Sequence, residues 1–466
     1  MVAHLKSSFP LSRFPALSDS ERNRLSGRLS RYARVGVNVG GVAAKVASAR
    51  LFGTGLDKGK NASELAAALG GLKGPLMKVG QILSTVPDLV PPEYAAELSQ
   101  LQSNAPPMGW PFVKRRMQAE LGPQWEKRFA SFEHQPAAAA SLGQVHRAVA
   151  KDGRALAVKL QYPDMQSAVE ADLTQLKMLF SLFRRMDPSI DTSEIYKEIG
   201  DRIREELDYG REARHALLYK IMLDGECLVR VPEVDPHLST LRLLTLGWLE
   251  GRPLLEFRDR PLEERNRIAT AMFRAWWSPF AKFGVIHGDP HLGNYTVFEE
   301  GGVASGINLL DYGCIRIFPA KFVAGVVDLF HGLREDDRDR VVAAYESWGF
   351  VGLSNELIEA LNIWARFIYA PLMDDRVRTI ADGTAPAEYG RREAFRVHQV
   401  LKEKGPVTVP REFVFMDRAA IGLGSVFLHL RAEMNFHREF MGMIEGFDET
   451  MLGMRQKAAL GGVGLG

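Results

Sequence analysis

Asp289 and Asn294 stand five residues apart in the run His287-Gly288-Asp289-Pro290-His291-Leu292-Gly293-Asn294. Seventeen residues further on, behind an apolar stretch, Asp311 opens the triplet Asp311-Tyr312-Gly313. No other feature of the chain narrows its fold so far. Phosphoryl transfer needs little covalent help from a protein. It needs a carboxylate near the attacking hydroxyl, and oxygen ligands that fix Mg²⁺ against the phosphates. Asp289 suits the first task, and Asn294 with Asp311 suits the second. Either half alone is ordinary turn composition, because Asp and Asn are common in loops. In this order and at this spacing, the two together predict a nucleotide site.

At 466 residues the chain is long enough for two or three domains and a large core. A hydrophobic content of 46% and a charged content of 25% are those of a globular protein. Cys227 and Cys314 form no metal or disulfide pattern, which points to a reducing compartment. Cys314, just after the triplet, reads as a small packing residue. The net charge of +2 hides an asymmetry: residues 1–60 hold eleven Lys and Arg against three Asp and Glu, so the remainder is acidic. Three readings of this basic leader stay open: an organelle transit peptide, a basic helix drawn to anionic lipid, and a solvated lead-in. The small-residue stretch 35–49 is too short and Gly-rich for a membrane span. Asp19 and Glu21 break any signal-peptide layout. Because the positive charge sits in one leader and not in an aromatic-interleaved patch, nucleic acid is not an expected partner.

Apolar spacing predicts helix over 64–120, cut by Pro91-Pro92 and Pro106-Pro107. Two strands are expected near 145–149 and 156–160 about an Asp152-Gly153 turn, then a long helical region over 162–223. Extended segments return at 229–234 and 241–249. Beyond Pro261 the pattern is helical apart from the motif region, with Trp348 and Trp364 as core residues and a frayed glycine-rich tail over 461–466. The expected division is a leader over 1–60, a helical extension over 61–135, a small lobe over 136–250 and a large lobe over 251–466.

Lys159 falls late in the second strand, in Ala155-Leu156-Ala157-Val158-Lys159. Taken alone, it reads as a solvated strand lysine. In an order of strand, acidic helix (Glu205, Glu206, Asp208, Glu212), linker (246–251, with Glu250), catalytic loop and D-Y-G, it takes the place of a lysine that reaches the α- and β-phosphates. The order predicts an α+β, bilobal kinase-like fold. Two features depart from a protein kinase. Where a glycine-rich loop should cover the phosphates stand Ala137, Ala138, Ala139, Ala140 and Ser141, and alanine resists the positive φ that glycine allows. There is also no Ala-Pro-Glu anchor after Gly313.

With four motifs the chain resembles the UbiB family of atypical kinase-like proteins, the AarF/ADCK type associated with quinone lipids. They are Lys78-Val79-Gly80-Gln81 (K-x-G-Q), the alanine loop leading to Gln144-Val145-His146, Glu206-Leu207-Asp208 (E-x-D), and the catalytic loop with its D-Y-G. The resemblance covers about residues 70–320. Departures are mild: Gly288 where Ala is frequent, Leu292 for Pro, and Tyr312 for Phe. The resemblance implies ATP and Mg²⁺ as cofactors. It also implies a K-x-G-Q lid that brings Lys78 and Gln81 near the phosphates and near Glu206 and Asp208. Glu212 is assigned to Lys159, since i and i+6 lie some 120° apart on a helix. Two activities follow as expectations. One is a Mg²⁺-dependent ATPase or lipid-directed kinase supporting ubiquinone or related isoprenoid-quinone metabolism. The other is a nucleotide-gated scaffold for lipid-modifying enzymes. A third, a soluble small-molecule kinase of the aminoglycoside or choline type, sits badly with K-x-G-Q and the alanine loop. The expected partners are a quinone or isoprenoid lipid, an anionic membrane surface and quinone-biosynthesis enzymes. The expected location is cytoplasmic and peripherally membrane-associated, or an organelle.

Overall fold

The computed structural model describes residues 107–139, 142–170, 173–174, 177, 200–201, 203–350, 352–381 and 411–466. Most of the helical region expected over 64–120, with Lys78 and Gln81, lies outside them, as do Ala140 and Ser141. The chain divides into two compact units: residues up to Arg211 with Val234–Trp248, and Glu212–Glu233 with Leu249–Gly466.

The first unit opens with α1, Trp110–Leu121, which carries Pro111 in its first turn and ends on Gly122 at φ +87°. An antiparallel sheet follows. It is built of β1 (Phe129–Phe132), β2 (Ala138–Ala139), β3 (Gly143–Ala150), β4 (Ala155–Gln161) and, later in the chain, β6 (Leu243–Gly247). Its order is β1-β3-β4-β6, with β2 beside β3. Alternation in β4 sets its two faces. Leu156, Val158 and Leu160 are wholly buried against Met117, Trp125 and Phe129, while Ala157 and Lys159 lie half-buried on the other face. Of the described alanines, Ala138 and Ala139 are strand, paired with Val145 and Gln144, and Ala137 is a bend whose N–H donates to the Val145 carbonyl at 2.8 Å.

The helical region expected over 162–223 is broken. Residues 203–206 are helical, Leu207 and Asp208 form a turn, and α2 begins afresh at Tyr209–Met222. Asp208 explains the break. Its Oδ1 accepts the Arg211 N–H at 2.9 Å, the capping role Asp prefers to a helix interior. Glu206, Asp208 and Glu212 therefore do not share one helix, and the angular argument for assigning Glu212 to Lys159 falls.

In the second unit a three-stranded sheet sets β5 (Val229–Arg230) parallel to β9 (Val303–Leu309), with β8 (Tyr295–Glu300) antiparallel on the other side. The β8–β9 turn is Gly301-Gly302, both at positive φ, as a two-residue hairpin of this twist requires. A second ribbon pairs β7 (Val285–His287) with β10 (Ile315–Ile317). The long helix α3, Leu262–Phe283, buries Ile268, Met272, Phe273, Trp276 and Phe280 and feeds β7 through Gly284, a left-handed cap at φ +65°. Among the described residues the unit is completed by α4 (Ala320–Glu335), α5 (Arg338–Ser347), α6 (Asn355–Met373), α7 (Arg411–Leu430), α8 (Phe436–Ile444) and α9 (Glu449–Val463). Side chains of Asp337, Ser354, Asn435 and Asp448 cap four of their N-termini. Trp348 and Trp364 are core residues, as expected.

The tail is not frayed. Helix α9 runs to Val463, and Gly464 turns left-handed at φ +72°, so that the Leu465 N–H reaches the Leu460 carbonyl at 2.9 Å. Glycine at the terminus here serves the cap. No helix among the described residues is long and apolar enough to cross a membrane.

Candidate functional site

In the first unit, Lys159 pairs across the sheet with Val145 and Leu244, and its Nζ stands 5.1 Å from the centre of the Tyr209 ring. Tyr209 directly follows Asp208, so the fold brings the E-x-D segment to the lysine. A second link makes this firm: Gln161, two residues beyond Lys159 on the same face of β4, donates its Nε2–H to the Leu207 carbonyl at 2.6 Å. Glu205 binds Arg211 at 3.1 Å, and Glu206 and Asp208 are half-buried. Gly143, at the start of β3, admits this arrangement. A Cβ there would stand 2.5 Å from the Leu160 carbonyl oxygen and 2.8 Å from the Tyr209 hydroxyl.

In the second unit, β7 delivers His287 to the head of the catalytic loop. The Asp289 N–H donates to His287 Nδ1 at 3.1 Å, so that nitrogen accepts. Nε2 must then carry the proton, and it donates to the Asp311 carbonyl at 2.9 Å. One buried imidazole thus joins the catalytic loop to the D-Y-G triplet. Asn294 donates its Nδ2–H to the Asp289 carbonyl at 2.9 Å, and its own carbonyl receives the Leu310 N–H at 2.9 Å. Asp311 Oδ1 accepts the Gly313 N–H at 3.0 Å. Gly288 presses against the turn just after the triplet: its N–H donates to the Cys314 carbonyl at 2.7 Å, and a Cβ would stand 3.1 Å from Cys314 Sγ. Cys314 is half-buried, with its Sγ close against Gly288.

Beneath the loop lies an aromatic group. Tyr219 sits 5.6 Å from Tyr312 and 6.3 Å from His287, and Trp276 sits 5.3 Å from His287. The Tyr312 hydroxyl donates to the Leu309 carbonyl at 3.0 Å, and the Tyr312 carbonyl receives His215 Nδ1–H at 3.0 Å. Burial, and after it the neighbouring Tyr219, Asp311 and Glu212, pushes the Tyr312 hydroxyl well above the ordinary tyrosine range. Tyr295 is raised likewise, by burial first and then by the charge of Asp289. Both phenols stay neutral and donate.

The donor set fits Mg²⁺. Asn294 has its amide nitrogen committed, which leaves Oδ1 as the atom it offers a cation, and Asp311 contributes a carboxylate. Hard oxygen donors in small number, completed by phosphates, are how a nucleotide's Mg²⁺ is held. Among the described residues no group of three or more His, Cys, Asp and Glu side chains gathers as a self-sufficient metal centre. Glu212 is buried in α2, close enough to Tyr312 for its charge to be felt there. Glu250 has an exposed side chain, and its carbonyl accepts Asn308 Nδ2–H at 2.9 Å. Sequence reasoning missed Gln161 and Tyr209. For Gln161 a faint signal existed, a polar side chain two positions from Lys159 and hence on its face.

An antiparallel sheet unit carrying a strand lysine and a mainly helical unit carrying the His287–Asn294 loop and D-Y-G define a kinase-like protein. The ABC1 atypical kinase-like domain matches residues 100–345, more than half of the chain, and the chain belongs to this family, the UbiB group of the sequence resemblance. It is 32% identical over 272 residues to AarF domain-containing protein kinase 1 of Xenopus laevis (58% of this chain, 52% of that protein). It is 30% identical over 353 residues to atypical kinase COQ8B, mitochondrial, of Rattus norvegicus (72% of this chain, 66% of that protein). The chain spans about half the length of the Xenopus relative. Among solved structures, a Mycobacterium tuberculosis protein in complex with erythromycin matches with a TM-score of 0.59 and 26% identity, covering 87% of this chain and 99% of that one.

Proposed function

We propose that this chain binds MgATP and turns it over, as an ATPase or lipid-directed kinase, in support of ubiquinone or a related isoprenoid-quinone metabolism at a membrane surface. The observation that carries the nucleotide reading is His287, whose two nitrogens tie Asp289 to Asp311. Such a bond pattern holds a catalytic carboxylate and a metal carboxylate in one frame. In this reading Lys159 would hold the phosphates, Asn294 and Asp311 would hold the Mg²⁺, and Asp289 would orient and deprotonate the attacking hydroxyl or water. The metal, when bound, neutralises charge on the phosphate oxygens. The family resemblance would set the alanine segment Ala137 to Ser141 over the phosphates and the K-x-G-Q segment with Lys78 and Gln81 at the entrance for a protein substrate, which would turn the activity away from proteins. The quinone assignment rests on the family resemblance. The lipid surface is supported by the basic leader, a net +8 over residues 1–60.

The test is Mg²⁺-dependent ATP hydrolysis by the purified chain, with and without anionic liposomes, beside Asp311→Asn. Turnover that rises with liposomes and falls to background in the variant is the expected result. Turnover unchanged by Asp311→Asn would overturn it. Tight nucleotide binding without turnover would transfer the assignment to a nucleotide-gated scaffold, a reading favoured by the way the sheet ladder pins Ala138 and Ala139.

A further inference from the structure

Gln161 closes β4 at the point where the sheet ladder runs out, and it is only 3% exposed. Its main chain is held from two sides: the N–H donates to the Arg242 carbonyl at 3.2 Å, and the carbonyl accepts Arg116 Nε–H at 3.1 Å. Arg116, itself 2% exposed on α1, also donates to the Tyr162 carbonyl at 3.1 Å. Its charge is answered by Glu120 at 3.1 Å, which in turn accepts the Thr240 hydroxyl at 2.6 Å. The Gln161 side chain can therefore move only with the strand that carries Lys159.

Its amide ends on the Leu207 carbonyl, inside the break between the helical residues 203–206 and α2. A carbonyl at a helix end has lost its helical partner and needs another. Gln161 supplies one, and so supports the turn that carries Glu206 and Asp208 on either side of Leu207. A buried amide is costly unless bonded, and an apolar side chain would fill the same space, so what the amide adds is geometry. We propose that Gln161 is a positioning residue that fixes the Glu206-Leu207-Asp208 carboxylates relative to Lys159, with Arg116 holding Gln161 in place. This rests on the MgATP reading for its catalytic consequence, though not for its structural one.

Two variants test it: Gln161→Met, which keeps length and removes the donor, and Gln161→Asn, which keeps the amide and shortens its reach. The second serves if the first does not fold. The first readout is amide hydrogen exchange in the ligand-free chain. Peptides spanning 203–211 should exchange faster by about tenfold or more, while β3 and β4 amides keep their rates. Unchanged exchange over 203–211, or an equal rise across the sheet, would overturn the proposal. The second readout is a double-mutant cycle with Asp208→Asn in kcat/KM for MgATP. Gln161→Met should cost about tenfold alone and less than about twofold in the Asp208→Asn background. Equal losses in both backgrounds would make Gln161 merely structural. If the wild-type chain does not bind MgATP, the nucleotide reading falls, and the exchange experiment still decides the positioning role.

Discussion

His287 has both ring nitrogens engaged, one accepting from the Asp289 main chain and one donating to that of Asp311. Phenylalanine would keep the packing against Trp276 and Tyr219 and remove both bonds. Each lost buried bond costs on the order of 1–3 kcal/mol, and about 1.4 kcal/mol is tenfold in rate. With both bonds lost, His287→Phe should thus lower MgATP turnover by roughly 30-fold or more, measured as kcat beside an unchanged circular-dichroism spectrum. His146 makes a second prediction. Gln144 Nε2 donates to its Nε2 at 2.8 Å, so Nδ1 carries the proton and donates to the Glu133 carbonyl at 2.7 Å. Burial, the largest influence, holds its pKa below the ordinary histidine value, with His134 adding to the effect and Glu133 opposing it. The unfolded chain then binds a proton that the folded chain refuses. Stability from this group is complete above about pH 6.5 and is lost as pH falls through the lower folded value. Thermal midpoints should drop as pH falls below about 6.5, and His146→Gln should flatten that slope. An unchanged slope would remove His146 from the account.

Among the elements, the hairpin of β8 and β9 is the instructive omission. Its turn, Gly301-Gly302, is a strong hairpin signal, but it lies between the two halves of the nucleotide motif, where the residues were read for chemistry alone. The break at Leu207 and Asp208 is the opposite case: the acidic pattern looked helical, and a capping aspartate ended the helix. Close approach is a third element-scale effect. Gly306 sits where β5 meets β9, and a Cβ there would fall on the Leu228 carbonyl, itself bonded to the Ile307 N–H at 2.9 Å. Gly306→Ala should destabilise by about 1–3 kcal/mol, read from the denaturant midpoint. Gly301→Ala, with nothing near its Cβ, should cost only the strain of its positive φ.

For the whole molecule, ligand linkage gives the simplest test. A nucleotide that binds only the folded chain stabilises it by about 2.7 kcal/mol at a hundred times its Kd. MgATP should raise the thermal midpoint accordingly, and Asp311→Asn should abolish the rise in Mg²⁺ while leaving the unliganded midpoint near that of the wild type. A shift that survives Asp311→Asn would place the nucleotide's metal elsewhere. Sequence order alone was enough to read the kinase-like class and the family. Asp289, Asn294, Asp311 and Lys159 could be picked out as candidates because phosphate chemistry would demand particular atoms at particular chain spacings, and the alternation in β4 announces a strand because side chains follow the pleat. The structure alone decided how those residues are held. His287 reaches Asp311 across twenty-four residues, and Gln161 reaches Leu207 across forty-six. Such bonds are set by where the packed chain returns to itself, and local residue patterns carry no record of that.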